Sequence, residues 1–197
     1  MLYKNRQKLS KQNEKIGKTF SKLPLSPNQW TLISLLAAVA SAYFITQNNY
    51  ICAAVFFAIA ALCDVIDGSV ARYRNIASPK GGHIDNIADR YVELIVILGL
   101  MFASLPLYYI DSRVWLLLLL FGSMMTTYAK ASAAEQMNKQ IKGGILERGE
   151  RMILIFVGLL AGIVSKDLLL AIISLAAVLS NITAAQRIIM SFKTEKK

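Results

Sequence analysis

An all-α integral membrane protein, with six transmembrane helices behind an amphipathic interfacial N-terminal helix, is the fold class this sequence predicts. Three observations predict it. Of 197 residues, 55% are hydrophobic and the mean hydropathy is +0.48, too apolar for an ordinary soluble domain. Apolar runs close to the ~20 residues that cross a bilayer recur between short polar turns. The basic residues are also segregated: eighteen Lys and Arg fall in the two ends and two alternate connections, and only Arg113 and Lys166 in the other three turns. That alternation predicts a multi-pass protein of the cell membrane with both termini cytoplasmic.

Taken in order, residues 2–23 carry seven Lys and Arg against one Glu14, with Leu2, Leu9, Ile16, Phe20 and Leu23 at helical spacing. This reads as a basic amphipathic helix lying on the cytoplasmic membrane surface, spanning residues 1–25, ahead of a six-helix transmembrane domain at 26–197. No cleavable signal peptide is expected in so polar a start. Ser26-Pro27 is a helix-start signal, with Ser26 as N-cap and Pro27 in the first turn. The first span then runs to about Thr46, the second from about Tyr50 to Arg72 and the third from about Gly82 to Leu105. The fourth covers about Arg113 to Ala134, the fifth Arg148 to Ser165 and the sixth Leu168 to Ile189. Cys52 and Cys63 lie inside an apolar run and read as small hydrophobes. The net charge of +10 favours an anionic lipid surface and anionic substrates over nucleic acid, since no basic stripe interleaved with aromatics offers base stacking.

The chemistry concentrates between the second and third spans. Asp64 and Asp67 close one apolar run; Asp85 and Asp89 open the next. Spacings of i,i+3 and i,i+4 put each pair on one helical face, with rises of about 4.5 and about 6 Å. The short connection makes the two helices antiparallel neighbours, so that four carboxylates converge at their ends. Four like charges at membrane depth repel one another, and a hard divalent cation with oxygen ligands compensates them; Mg²⁺ beside a phosphate-bearing substrate is the usual case. Gly68 permits close backbone approach, and Arg72, one turn on, can face a phosphate. Arg90 and Glu93 follow Asp89 and can pair locally or across to a neighbouring helix. His83 reads as a loop or helix-start residue.

The pattern D-x2-D-G-x2-A-R-x8-G-x3-D-x3-D, carried here by Asp64, Asp67, Gly68, Ala71, Arg72, Gly81, Asp85 and Asp89, resembles the signature of the CDP-alcohol phosphatidyltransferases. The resemblance implies transfer of a phosphatidyl-type group from a CDP-linked lipid to an alcohol, with release of CMP. It implies that Asp64, Asp67 and Asp85 hold Mg²⁺, with Mn²⁺ as a possible substitute and Asp89 on a second ion or acting as general base. Gly68, Ala71, Arg72 and Gly81 would line the cytidine site. Asn28 and Thr31, one turn apart, fit either simple capping of the first span or the Pro-Asn-x-x-Thr stretch beside the family's nucleotide site. A homodimer is the family expectation.

Lys130, Arg148, Arg151 and Arg187 all lie near cytoplasmic span ends. On composition alone they are either positive-inside anchors or a pocket for a phosphate. Arg148 and Arg151 alternate with Glu147 and Glu150, and the stretch resembles that of the inositol-phosphate branch of the family. There the matching arginines, with a lysine and an arginine on other helices, bind the acceptor's phosphate. The preferred acceptor is therefore an inositol phosphate, with glycerol phosphate as the alternative. An ion-coupled transporter is the rival from another class, because intramembrane carboxylates also mark ion paths.

Overall fold

The computed structural model describes residues 6–192 apart from Lys142, with side chains from residue 13 onward. The side-chain expectations for Leu2 and Leu9, and the charges at Lys4, Arg6, Lys8, Lys11, Lys142, Lys193, Lys196 and Lys197, lie outside the residues whose side chains are described. Within them the chain forms helices α1 (Arg6–Phe20), α2 (Pro27–Thr46), α3 (Tyr50–Tyr73), α4 (Pro79–Phe102), α5 (Ser112–Met137), α6 (Arg148–Val164) and α7 (Lys166–Phe192). By length and composition, α2, α3, α5 and α7 are apolar enough to cross a membrane. The other two differ for visible reasons. α4 carries Asp85, Asp89, Arg90 and Glu93 within its first fifteen residues, and α6 has 17 residues.

Local signals account for the helix starts. Ser26 Oγ accepts from the Gln29 N–H, and Gln29 Oε1 accepts from the Ser26 N–H at 2.7 Å, a reciprocal cap with Pro27 in the first turn. Ser78-Pro79 repeats the device: Ser78 Oγ accepts from the Gly81 N–H at 3.1 Å, so α4 begins at Pro79 and takes Gly81 and Gly82 into its first turn. This start is three residues earlier than the expected Gly82, because Ser78-Pro79 acts as a second helix-start signal. Asp111 caps α5 by accepting from the Arg113 N–H at 2.8 Å. Asn75, in the α3–α4 connection, takes a left-handed φ of 55°, which Asn tolerates better than most residues.

Packing depends on small residues, since lipid offers apolar side chains no less welcome an environment than a neighbouring helix does. α2 packs along both α3 and α4, α5 pairs with α7, and α6 lies against α7 and α3. A Cβ on Gly99 would come within 2.8 Å of the Ala42 Cα, so the α2–α4 approach needs glycine there. The expectation that α3 and α4 are close neighbours is corrected: they touch only sparsely. α2, with Ala37, Ala38 and Ser41 buried, takes most of the contact with each. The main core gathers Phe57, Val96, Ile97, Leu100, Leu116, Ile155 and Ile173.

A second, smaller core sets α1 in place. Ile16 and Phe20 pack against buried Trp30, Cys63, Ile66 and Val70, and the Phe20 and Trp30 rings meet edge to face at 5.6 Å. Arg74 reaches back from the end of α3 to donate to the carbonyls of Ser21 and Leu25 at 2.7 Å and Leu23 at 2.8 Å. It therefore ties down the segment that leads from α1 into α2.

Candidate functional site

A cavity of about 420 Å³ opens between the starts of α2 and α4 and the end of α3. Asn28, Thr31, Asp67, Gly68, Ala71, Arg72, Gly81 and Asp85 all line it. Capping falls to Ser26 and Gln29, which leaves Asn28 and Thr31 facing the cavity. The Thr31 hydroxyl donates to Asp67 Oδ2 at 2.6 Å, and both residues are buried. One helical face of α3 thus supplies Asp67 and Ala71, and the Ser-Pro turn of α4 brings Gly81 and Asp85 to the opposite wall.

Three of the four aspartates converge. Asp64, Asp85 and Asp89 each offer an oxygen within 4.8 Å of those of the other two. Asp67 stands outside that trio and faces Thr31. Asp85 belongs to both the trio and the cavity wall, so the two share an edge. The donor set suits a hard divalent cation: three carboxylates, no soft ligand, and a buried Asp85 Oδ1 that has no hydrogen-bond partner among the described residues. Arg148 already brings positive charge into contact with the trio. Its Nη1 and Nη2 each lie 3.3 Å from a separate oxygen of Asp64, and Nη2 also pairs with Asp89 Oδ1. On the far side of the trio, Asp64 and Arg148 border an apolar groove of about 460 Å³ between α3 and α6, walled by Phe57, Leu62, Met152 and Phe156.

The segment before α6 delivers its arginines. The Leu146 N–H donates to Thr183 Oγ1 at 2.9 Å and the Ile145 N–H to Gln186 Oε1 at 3.2 Å, which pins the loop to α7. The Glu147 N–H donates to Glu150 Oε2 at 3.0 Å, so Glu150 caps the helix start. Arg148 then points to the aspartates, while Arg151 turns inward and pairs with Glu93. Arg187 on α7 is half-buried and donates to the carbonyls of Gly143 at 3.1 Å and Thr126 at 2.8 Å. Lys130, one turn beyond Thr126 on α5, is exposed.

A family model for the CDP-alcohol phosphatidyltransferases matches residues 24–189, nearly all of the helical core. The chain belongs to that family. Among its relatives is the archaetidylinositol phosphate synthase of Pyrococcus horikoshii, 34% identical over 188 residues and covering 95% of each chain. The phosphatidylinositol phosphate synthase of Mycobacterium tuberculosis, solved with CDP-DAG bound, superposes with a TM-score of 0.80 at 26% identity, covering 93% of this chain and 95% of that one. A second crystal structure of that synthase, in complex with manganese and citrate, superposes at 0.78 with the same identity and covers 93% and 90%. This chain is therefore a membrane-embedded transferase, not the transporter that its intramembrane acids also allowed.

In this phosphatidyltransferase the fold assembles more than the motif residues. Glu93, one turn beyond Asp89, accepts from Arg90 Nη1 at 3.1 Å, Ser123 Oγ at 2.6 Å, Arg151 Nη2 at 3.3 Å and Arg151 Nε. It thus pairs both locally and across to a neighbour. The signal that could have singled it out is a charged residue deep in an apolar helix, which is costly unless it has a role. Ser123 gave no such signal, since a lone serine in an apolar run is ordinary.

Proposed function

We propose that this transferase moves a diacyl- or dialkyl-glycerol phosphate group from a CDP-linked lipid to the hydroxyl of a phosphorylated polyol, inositol phosphate first, and releases CMP in phospholipid biosynthesis. The observation that carries the proposal is the shared edge at Asp85: a polar cavity lined by the motif residues meets a carboxylate trio, and an apolar groove begins on the trio's other side. An amphiphilic nucleotide lipid needs that sequence of surfaces. Asn28, Thr31, Gly68, Ala71, Arg72 and Gly81 hold the cytidine nucleotide. The groove between α3 and α6 receives apolar chain.

Asp64, Asp67, Asp85 and Asp89 are the residues that would hold the cation, Mg²⁺ by preference with Mn²⁺ as substitute. When bound, it supplies positive charge against the pyrophosphate and the leaving CMP. The protein's own part is as follows. Thr31 orients Asp67 through its hydroxyl. Asp89 takes the proton from the acceptor hydroxyl as that oxygen bonds to the β-phosphorus and the bond to CMP breaks. Arg148, Arg151, Arg187 and Lys130 bind the acceptor's phosphate, with Arg148 nearest the acids and Lys130 at the outer edge.

Six spanning helices at 26–197 form the catalytic domain, and residues 1–25 form a basic segment on the cytoplasmic surface. The active site and both termini face the cytoplasm, as the charge bias supports. A homodimer is the working assembly. Purified protein with a CDP-linked lipid, offered inositol phosphate, glycerol phosphate and the free alcohols in turn, tests the reading. CMP release with inositol phosphate above all others is expected. Preference for glycerol phosphate would reassign the acceptor, and no CMP release with any of them would refute the reaction.

A further inference from the structure

We propose that Glu93 is a positioning residue for substrate, holding Arg151 so that one edge of its guanidinium faces the acceptor's phosphate; this rests on the acceptor pocket proposed above. Glu93 is 0% exposed and Arg151 1% exposed, so each needs the other's charge in a medium that screens little. The pairing is side-on. Arg151 Nε and Nη2 are spent on Glu93, and Nη1 is buried with no hydrogen-bond partner among the described residues. A buried N–H group without an acceptor is costly, and it is the group an incoming anion would satisfy.

The charge count points the same way. Glu93 receives two guanidiniums, those of Arg90 and Arg151. Two guanidiniums on one carboxylate leave these direct contacts with one positive charge in excess. A purely structural bridge between α4 and α6 would need a single arginine. The excess suits a site that is completed by an anionic ligand, with Glu93 setting its geometry and limiting the repulsion between arginines. Ser123 on α5 fixes Glu93 in turn, with its hydroxyl 2.6 Å from Oε2. Glu93 itself repels phosphate, so it acts through Arg151 and not by touching the acceptor.

The test is CMP release by the full-length protein with Mg²⁺, a CDP-linked lipid and inositol phosphate. Glu93→Gln keeps the shape and removes the charge; it should raise the acceptor KM by about tenfold and leave the CDP-lipid KM unchanged. Glu93→Asp, which restores the charge, should fall between. In an Arg151→Ala background, Glu93→Gln should add nothing, because residues acting in series are not additive. An unchanged acceptor KM in Glu93→Gln, an equal rise in both KM values, or full additivity with Arg151→Ala would each overturn the proposal. If Arg151→Ala itself keeps the parent acceptor KM, the pocket falls and the role of Glu93 with it. Should Glu93→Gln fail to fold, Ser123→Ala loosens the same carboxylate more gently. A rise in acceptor KM of about threefold is then expected, and no rise overturns the proposal.

Discussion

The Thr31 hydroxyl on α2 donates to Asp67 on α3 at 2.6 Å, joining two helices across the wall of the cavity. Hydrogen bonds to a charged group contribute about 1.5–3 kcal/mol. Thr31→Val keeps the shape and removes the donor, so it should raise the CDP-lipid KM by about ten- to a hundredfold, with little change for the acceptor. Thr31→Ser should stay near the parent. Steady-state kinetics with each substrate varied in turn decides it, and a Val variant with parental CDP-lipid KM removes Thr31 from the site.

Arg148 lies on two of the three clustered carboxylates, and its side chain keeps 30% of its exposure. Solvent therefore screens the pair in part. Arg148→Ala should destabilise the protein by about 1–2 kcal/mol in the absence of divalent ions. Because the loss leaves Asp64 and Asp89 uncompensated, Mn²⁺ should raise the Tm of the variant by more than it raises the Tm of the parent. Thermal melts in detergent with and without Mn²⁺ measure this. Equal shifts in the two proteins would show that Arg148 does not neutralise the trio. In kinetics the same variant should have a raised acceptor KM, and Lys in its place should remain impaired because an ammonium cannot reproduce the paired Nη contacts that hold Arg148 on Asp64.

Chelation and Asp89→Asn separate two roles of the acids. EDTA should abolish CMP release, and Mg²⁺ or Mn²⁺ should restore it. Asp89→Asn should remove turnover while CDP-lipid binding, followed by titration, is largely kept. Asp67→Asn should instead weaken metal-dependent nucleotide binding. Full activity after thorough chelation contradicts the metal's role, and near-normal turnover in Asp89→Asn contradicts the base assignment.

Sidedness can be read by cysteine labelling after Cys52 and Cys63 are replaced. Ser78, at the start of α4, should label from the cytoplasmic side, and Asn48, between α2 and α3, from the other. Labelling of both from one side would break the six-span arrangement.

Much of the site was legible because its signals are local. The Asp64–Asp67 and Asp85–Asp89 spacings follow from helical periodicity alone, and Ser26-Pro27 marks a helix start whatever surrounds it. The motif glycines and Arg72 lie on the same short stretch, so they reach the cavity together. Glu93 was harder to weigh, since i,i+3 spacing to Arg90 is equally compatible with a surface pair. Its burial against Arg151, 58 residues away, is a matter of which helix lies opposite.

The sequence by itself determined the helical class, the starts and ends of most helices and the residue types that meet a phosphate and a cation, because each of these depends on the spacing of near neighbours. Only the tertiary structure decided the partnerships. α2 lies along both α3 and α4 because its small residues allow close approach, and Thr31 thereby reaches Asp67 while the other three aspartates cluster. Arg148 meets Asp64 across 84 residues of chain because the loop before α6 is pinned to α7 through Thr183 and Gln186. Periodicity fixes which face of a helix a residue occupies. Which neighbour that face meets depends on packing and on the need to pair buried charge, and neither is written in any single window of sequence.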